Sequence, residues 1–298
     1  MTAPGAMRGL ADRPRIDVVI LTRGNRPHEL ERAVDSARSQ TGVEVSVIVV
    51  GNGWRPTGLP STVRTVHLPE NVGVGGRNAG VSQGDGDLLF FLDDDAWLPE
   101  PDTLARIAAI FASDAEIGMV QTRLADPATP EAPRYWVPRL RKGDPGRSST
   151  AMYVLEAAVA IRRDVFEQIG GWAANFRYAH EGIEMAWRVW DTGHSVWYVG
   201  DIVTNHPAIL PTRHAEYQRL NARNRVWLAR RNLPWVFAAP YLGVWSAVEW
   251  RRTRSEPEAW RVWRLGWADG WRSDPGGRRP ISFKTAWQMA RHGRPPIV

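Results

Sequence analysis

Three adjacent carboxylates, Asp93-Asp94-Asp95, stand at the end of an unbroken apolar run, DLLFFL (87–92). So close together they repel one another unless a cation or hydrogen-bond donors offset the charge. The pair Asp93 and Asp95 suits a hard divalent ion that also takes oxygens from a diphosphate. The plainer alternative is an acidic loop capping the following helix. His206 ends a short apolar stretch and precedes Pro207. Its imidazole, with Asp95, completes such a metal site, because imidazole also ligates ions such as manganese. A structural histidine is the alternative there.

Two further groups carry chemistry. Asn71-Val72-Gly73-Val74-Gly75-Gly76-Arg77-Asn78-Ala79-Gly80 is a glycine-rich turn entering a helix. Such a turn brings backbone close to a ligand, and a helix N-terminus favours an anion. It is not the dinucleotide fingerprint, because Asn78 stands at the third glycine position. His180-Glu181-Gly182-Ile183-Glu184 resembles a zinc-protease helix only superficially, since Glu184 replaces the second histidine. Glu181 is left as a candidate general base, with helix capping as the alternative.

The elements that position these groups follow from hydrophobic patterning. Residues 16–22, 43–50, 63–68 and 87–92 read as strands, and 28–40, 75–82 and 101–112 as helices. Alternating strands and helices with short connections argue for an α/β, doubly wound, mostly parallel sheet. In such sheets ligands bind at the carboxyl ends of the strands. Thr22–Asn25, Gly51–Gly53 and Asp93–Asp95 all fall there. Residues 126–150, rich in Pro, Arg, Gly and Ser, predict a mobile loop. Strands follow at 154–161, 196–199 and 202–205, with helices at 164–169 and 184–192. Beyond His206 the pattern turns helical, over 213–232, 241–254 and 258–271.

Composition excludes several classes. The chain has 298 residues, 43% hydrophobic and 23% charged, and no cysteine. Disulfides, thiolate metal sites and a cysteine nucleophile are therefore out. Residues 206–298 hold 17 Lys and Arg against six Asp and Glu, and nine of the 16 tryptophans. The first two-thirds is acidic and the last third basic. Residues 1–15 lack an apolar core and read as a flexible lead-in rather than a signal peptide. The longest apolar stretch, 233–248, is short of the ~20 residues a membrane span needs and contains two prolines. The reading is cytoplasmic, with peripheral contact at the inner face of the cell membrane.

In order, VVILTRGNRP (18–27), IVVGNG (48–53), NVGVGGRNAG (71–80), FLDDDAWL (91–98), IGGWAANF (169–176), EGIEMAWR (181–188) and NHP (205–207) resemble glycosyltransferase family 2. The likeness is to its rhamnosyl- and galactofuranosyl-transferase-like bacterial members and covers about residues 16–225. It implies a GT-A fold, Rossmann-like, over residues 16–210, with a helical, basic, Trp-rich region over 211–298. It implies an inverting transfer from a nucleotide-diphosphate sugar, UDP- or dTDP-linked, to a hydroxyl acceptor, lipid-linked in one reading, with Mn2+ or Mg2+. The acceptor class is a cell-envelope polysaccharide, glycolipid or secondary metabolite.

Position by position, the resemblance puts the donor on Thr22, Arg23, Asn25, Asn52, Asn71, Gly73, Arg77, Asn78, Asp93 and Asp94. It puts the metal on Asp93, Asp95 and His206, and the base on Glu181 with Glu184 as fallback. Two positions depart from the family pattern. Gly51 stands where an Asp contacts the base, and Gly182 where Glu-Asp has its second acid. These departures also admit a catalytically silent, nucleotide-sugar-binding homologue.

Trp260, Trp263, Trp267 and Trp271 recur on one helical face, with Arg261, Arg264 and Arg272 off it. One reading is an interfacial helix on anionic lipid. The other is packing against the catalytic domain or a dimer face. The dense run Arg219, Arg223, Arg225, Arg230 and Arg231 raises nucleic-acid binding, but no recognised motif accompanies it, so no nucleic-acid partner is expected.

Overall fold

The computed structural model describes residues 13–129, 132–139, 142–208 and 215–297. Residues 1–12 of the lead-in, and the start of the helix expected at 213–232, lie outside them. The elements run β1 (Arg15–Thr22), α1 (Pro27–Arg38), β2 (Glu44–Asn52), β3 (Arg64–Leu68), α2 (Gly76–Val81), β4 (Leu88–Asp93), α3 (Thr103–Ser113), β5 (Ile117–Ala125), β6 (Ser149–Thr150), β7 (Ala158–Arg162), α4 (Arg163–Ile169), α5 (Glu181–Asp191) and β8 (Ser195–Asn205). Four helices close the chain: α6 (Ala215–Asn232), α7 (Trp235–Thr253), α8 (Pro257–Arg272) and α9 (Phe283–Arg291).

One eight-stranded sheet has the order β3-β2-β1-β4-β7-β5-β8-β6. β1, β2, β3 and β4 pair in parallel, as do β5 and β8. β7 runs antiparallel between β4 and β5, and β6 antiparallel on β8. The sheet is therefore mixed and mostly parallel. β1, β2 and β4 are apolar on both faces because helices cover both. One core packs α1 and α3 on one face through Leu30, Val34, Leu104 and Phe111. The other joins α4 and α5 with α6, α7 and α9 through Phe166, Trp187, Trp227, Tyr241 and Met289. Each such fully buried large side chain contributes about 1.5–3 kcal/mol.

Several expectations change. β5 escapes the sequence pattern because Gly118 and the polar run Gln121-Thr122-Arg123 interrupt it. Its buried Thr122 pairs with Thr204 of β8 at 2.7 Å, and its buried Gln121 accepts from the Leu155 N–H. The strands expected at 196–199 and 202–205 are one strand with a register shift against β5. The helix expected at 184–192 begins three residues earlier, at Glu181. In the segment expected as a mobile loop, residues 136–139 are buried and Ser149–Thr150 joins the sheet as β6. Trp136 is buried, and Arg139 donates to backbone carbonyls of Lys142, Asp144 and Arg147.

Candidate active site

The site is assembled by strand ends. β1 delivers Thr22, β2 Asn52, β4 Asp93 and β8 Asn205, with His206 next in the chain. Asn205 and Trp97 exchange backbone hydrogen bonds of 2.9 Å in both directions. That bridge holds the 93–97 turn against the end of β8 and brings His206 to the aspartates.

The three aspartates do different things. Asp93 accepts from Arg77 through Oδ1 at 2.5 Å, and Asp95 accepts from Arg26 through Oδ2. Each leaves its other oxygen toward His206, whose Nε2 lies 3.4 Å from Asp95 Oδ1 and 4.0 Å from Asp93 Oδ2. These ligand atoms all lie within 4.8 Å of one another. Neighbouring ligands on an octahedral ion of 2.0–2.2 Å bonds are about 3 Å apart, so two carboxylate oxygens and an imidazole nitrogen at this spacing fit a hard divalent cation. Asp94 turns away. Its Oδ2 accepts from Thr22 Oγ1 at 2.6 Å.

Burial pushes Asp94 up to about 6, against the hydrogen bond from Thr22. Burial alone raises Asp95 too, but the hydrogen bond from His206 and the charges of His206 and Arg26 outweigh it, and Asp95 stays below the usual carboxylate range. His206 is held above its ordinary value: burial lowers it, but Asp95 and Asp93 prevail. Its ring stands edge-on to Trp136 at 5.5 Å.

The glycine-rich turn makes close approaches, though to protein. Gly73 adopts φ +63, and a Cβ there would overlap the Arg177 carbonyl, to which Val74 N–H donates at 3.0 Å. Asn52 donates to Asn71 Oδ1 and accepts from Val72 N–H. Asn78 exchanges two 2.9 Å hydrogen bonds with the Trp172 backbone. Asn52, Asn71, Gly73 and Asn78 thus fasten the turn that aims Arg77. Arg23 and Asn25 are exposed at the rim, and Arg26, which the sequence pattern does not single out, is the basic side chain of that loop that reaches the aspartates.

At Gly51 a Cβ would overlap the Trp54 carbonyl oxygen and come within 2.7 Å of the Pro56 ring. An Asp has no room at this position.

On the other side of Arg77 lies α5. Glu181 is buried, and its Oε2 has no hydrogen-bond partner. Burial first, and the charge of Glu156 second, push it up to about 8. Glu184 occupies a different environment. Its Oε1 accepts from Arg188 Nε and Arg231 Nε at 3.1 Å each and from Asn232 Nδ2 at 3.0 Å. It is an internal anion joining α5 to α6, with three donors converging on one oxygen.

The loop entering α5 is strained. Arg177, Ala179 and His180 all have positive φ, which costs non-glycine residues about 1–3 kcal/mol each. Buried Asn224 of α6 holds it, its Nδ2 sharing two N–H bonds among the carbonyls of Phe176, Tyr178 and Ala179 at 2.9, 2.7 and 2.7 Å. Replacing Asn224 by alanine is expected to lower stability by about 1–3 kcal/mol, seen as a lower urea midpoint. An unchanged midpoint would remove Asn224 as the clasp.

A sequence profile of glycosyl transferase family 2 matches residues 17–170, more than half of the chain. An uncharacterised glycosyltransferase from Nostoc sp. is 28% identical over 114 residues, which is 34% of this chain and 34% of the relative. The chain thus spans about a third of the curated relative it matches. In structure it is similar to a mannosyltransferase from Pyrobaculum calidifontis in complex with GDP-Man and Mn2+, at TM-score 0.57 and 19% identity over 95% of this chain and 80% of that one. It is also similar to GalNAc-T7 with UDP, GalNAc and Mn2+, at TM-score 0.60 and 15% identity over 96% and 56% of the chains. A third is S. aureus TarS 1–349 in complex with UDP, at TM-score 0.54 and 14% identity over 81% and 73%. At these identities the likeness is one of fold.

Proposed function

The chain belongs to glycosyl transferase family 2 and has the GT-A fold, and from that premise we propose that it moves a sugar, with inversion, from a nucleoside-diphosphate donor to a hydroxyl acceptor. The observation that carries this reading is the convergence of Asp93, Asp95 and His206 beside Arg26 and Arg77 at the carboxyl ends of the strands. Mn2+ or Mg2+ held by these three residues would supply positive charge to the leaving diphosphate. Arg26 and Arg77 add fixed cations at the same edge of the sheet.

The donor lies along the β1, β2 and β4 ends in this reading. Thr22 and Asp94 form its floor, Arg23 and Asn25 its rim, and the Asn52, Asn71, Gly73 and Asn78 network holds its wall. Without a carboxylate at position 51, the base contact falls to other groups. Glu181, buried, with Oε2 lacking a donor and its carboxyl pushed up to about 8, marks the buried acidic pocket from which the acceptor's base is drawn. Residues 16–210 then hold the chemistry, and residues 211–298 support the loop before α5.

The test is thermal shift against UDP, dTDP and GDP with and without Mn2+. A ligand at 100 times its dissociation constant adds about 2.7 kcal/mol. A metal-dependent shift with one nucleotide supports the donor site. No shift with any nucleotide overturns it.

A lipid-linked acceptor presented at an anionic membrane surface is the second part of the proposal. Among the described residues no helix is long and apolar enough to cross a membrane. The Trp stripe of α8 turns largely inward: Trp263 is buried and stacks on Trp260 and Trp267 at 4.9 Å each. The exposed aromatics of the C-terminal helices are Trp235 and Trp250 of α7, Trp271 at the end of α8, and Phe283 and Trp287 of α9. Arg278 lies over Trp235 at 4.3 Å and Arg254 over Trp250 at 5.8 Å. Aromatic rings beside arginines suit a headgroup layer. The protein is expected to cosediment with phosphatidylglycerol vesicles at low salt, less so at high salt, and less in W250S/W287S. No binding at low salt would sink the idea.

A further inference from the structure

We infer that the acceptor's proton is taken by Glu156, whose carboxylate, supplied by the segment before β7, stands in the space that a side chain at position 182 would fill. The inference rests on the transfer reading above and names a group that reading leaves out.

The geometry is specific. A Cβ on Gly182 would lie 2.5 Å from Glu156 Oε1 and would overlap the Val154 carbonyl oxygen. The glycine therefore lets the 154–156 segment press against the first turn of α5. In that contact Gly182 N–H, one of the free donors of a helix N-terminus, donates to Glu156 Oε1 at 2.6 Å. Val154 N–H reaches the Gly182 carbonyl at 3.4 Å, and Gln121 of β5 accepts from Leu155 N–H at 2.8 Å. The backbone before Glu156 is thus fixed, and after it the Ala157 carbonyl accepts from Asp93 N–H at 3.0 Å. One of its carboxylate oxygens is fixed as well. The other oxygen accepts no hydrogen bond from the described residues and is not among the fully buried, unpaired atoms.

Two carboxyl groups in adjacent positions behind Arg77 cannot both ionise cheaply. Burial raises both Glu156 and Glu181, and the charge of Glu156 raises Glu181 as well. The other groups facing them are Arg77 from α2, Asp93 from β4, Tyr178 and Tyr217. Glu181, pushed to about 8 by burial and then by the charge of Glu156, holds its proton at neutral pH, and the helix-terminal Gly182 N–H that donates to Glu156 Oε1 favours the charge on Glu156. The step then balances. The acceptor O–H gives its proton to the open Glu156 oxygen while its oxygen bonds to the anomeric carbon. The bond from that carbon to the diphosphate oxygen breaks, and its electron pair leaves with the nucleoside diphosphate.

Glu156→Gln keeps an oxygen for Gly182 N–H and removes the charge, so the full chain is expected to fold. Two readouts follow. In carboxyl 13C NMR of glutamate-labelled protein, Glu181 is expected to ionise at lower pH in the variant than in wild type. In nucleoside-diphosphate release from UDP-glucose, GDP-mannose and dTDP-rhamnose with Mn2+, using water and octyl glucoside as acceptors, the variant is expected to be about 10²–10⁴ slower at unchanged donor KM. Formate should restore part of the rate of Glu156→Ala. An unmoved Glu181 titration, or wild-type release by Glu156→Gln, overturns the inference. A failure of nucleotides to bind with Mn2+ would instead count against the donor site, and leaves the NMR titration to judge the carboxyl pair.

Discussion

Asp95→Ala is expected to abolish the Mn2+-dependent stabilisation by nucleotide and to lower transfer by about 10²–10⁴. Asp95 makes two contacts, and of their partners Arg26 has a weaker second acceptor, Asp94 Oδ1 at 3.5 Å. Its Oδ1 faces His206 at 3.4 Å, and its Oδ2 holds Arg26. Removing it takes one of three ligand atoms from the cluster and frees a cation from the loop after β1. A bound metal contributes several kcal/mol to charge stabilisation, and each 1.4 kcal/mol is tenfold in rate. Asp94→Asn is the contrast, because its carboxyl is turned to Thr22 and should change metal dependence little. Metal titration by calorimetry separates the two. Equal Mn2+ affinity in wild type and Asp95→Ala would dismantle the site. Affinity should also fall as pH drops through the raised range of His206, since a ligating imidazole must be neutral.

The second large effect separates two glutamates one helical turn apart. Glu184→Ala is expected to lower stability by about 3–5 kcal/mol, because it strands buried Arg188 and the Arg231 guanidinium without their anion. Glu181→Gln is expected to leave stability at neutral pH unchanged or higher. Its pH dependence has a definite sign. Glu181 is held at about 8 in the folded protein, above its ordinary value of 4.5, by burial and then by Glu156. The folded state therefore binds its proton more tightly, and stability falls as pH rises from about 4.5 through 8. The Gln variant lacks that decline. Urea midpoints at pH 5 and pH 8.5 measure it. A Glu184→Ala protein as stable as wild type would refute the reading of Glu184 as the anion that joins α5 to α6.

Much of this molecule is local and was legible. The runs 16–22, 43–50 and 87–92 are apolar on both faces, which only a covered parallel strand explains, and each ends in polar residues at the same edge of the sheet. The family followed from the ordered motifs, because turn and strand-end residues keep fixed spacings along the chain. Long-range pairing was not legible. β5 carries Gln121 and Thr122 into the core, where partners from β8 and the segment before β7 satisfy them, and no local pattern announces such partners. The α8 stripe predicts an amphipathic helix, but Gly266 and Gly270 seat it on α6 so closely that Trp263 is buried. Glu156 is the sharpest case. Nothing in its neighbourhood marks it, and Gly182 reads as a lost acid. Only the tertiary contact, which presses Val154–Glu156 onto the first turn of α5, turns an empty position in one segment into a place for a carboxylate from another.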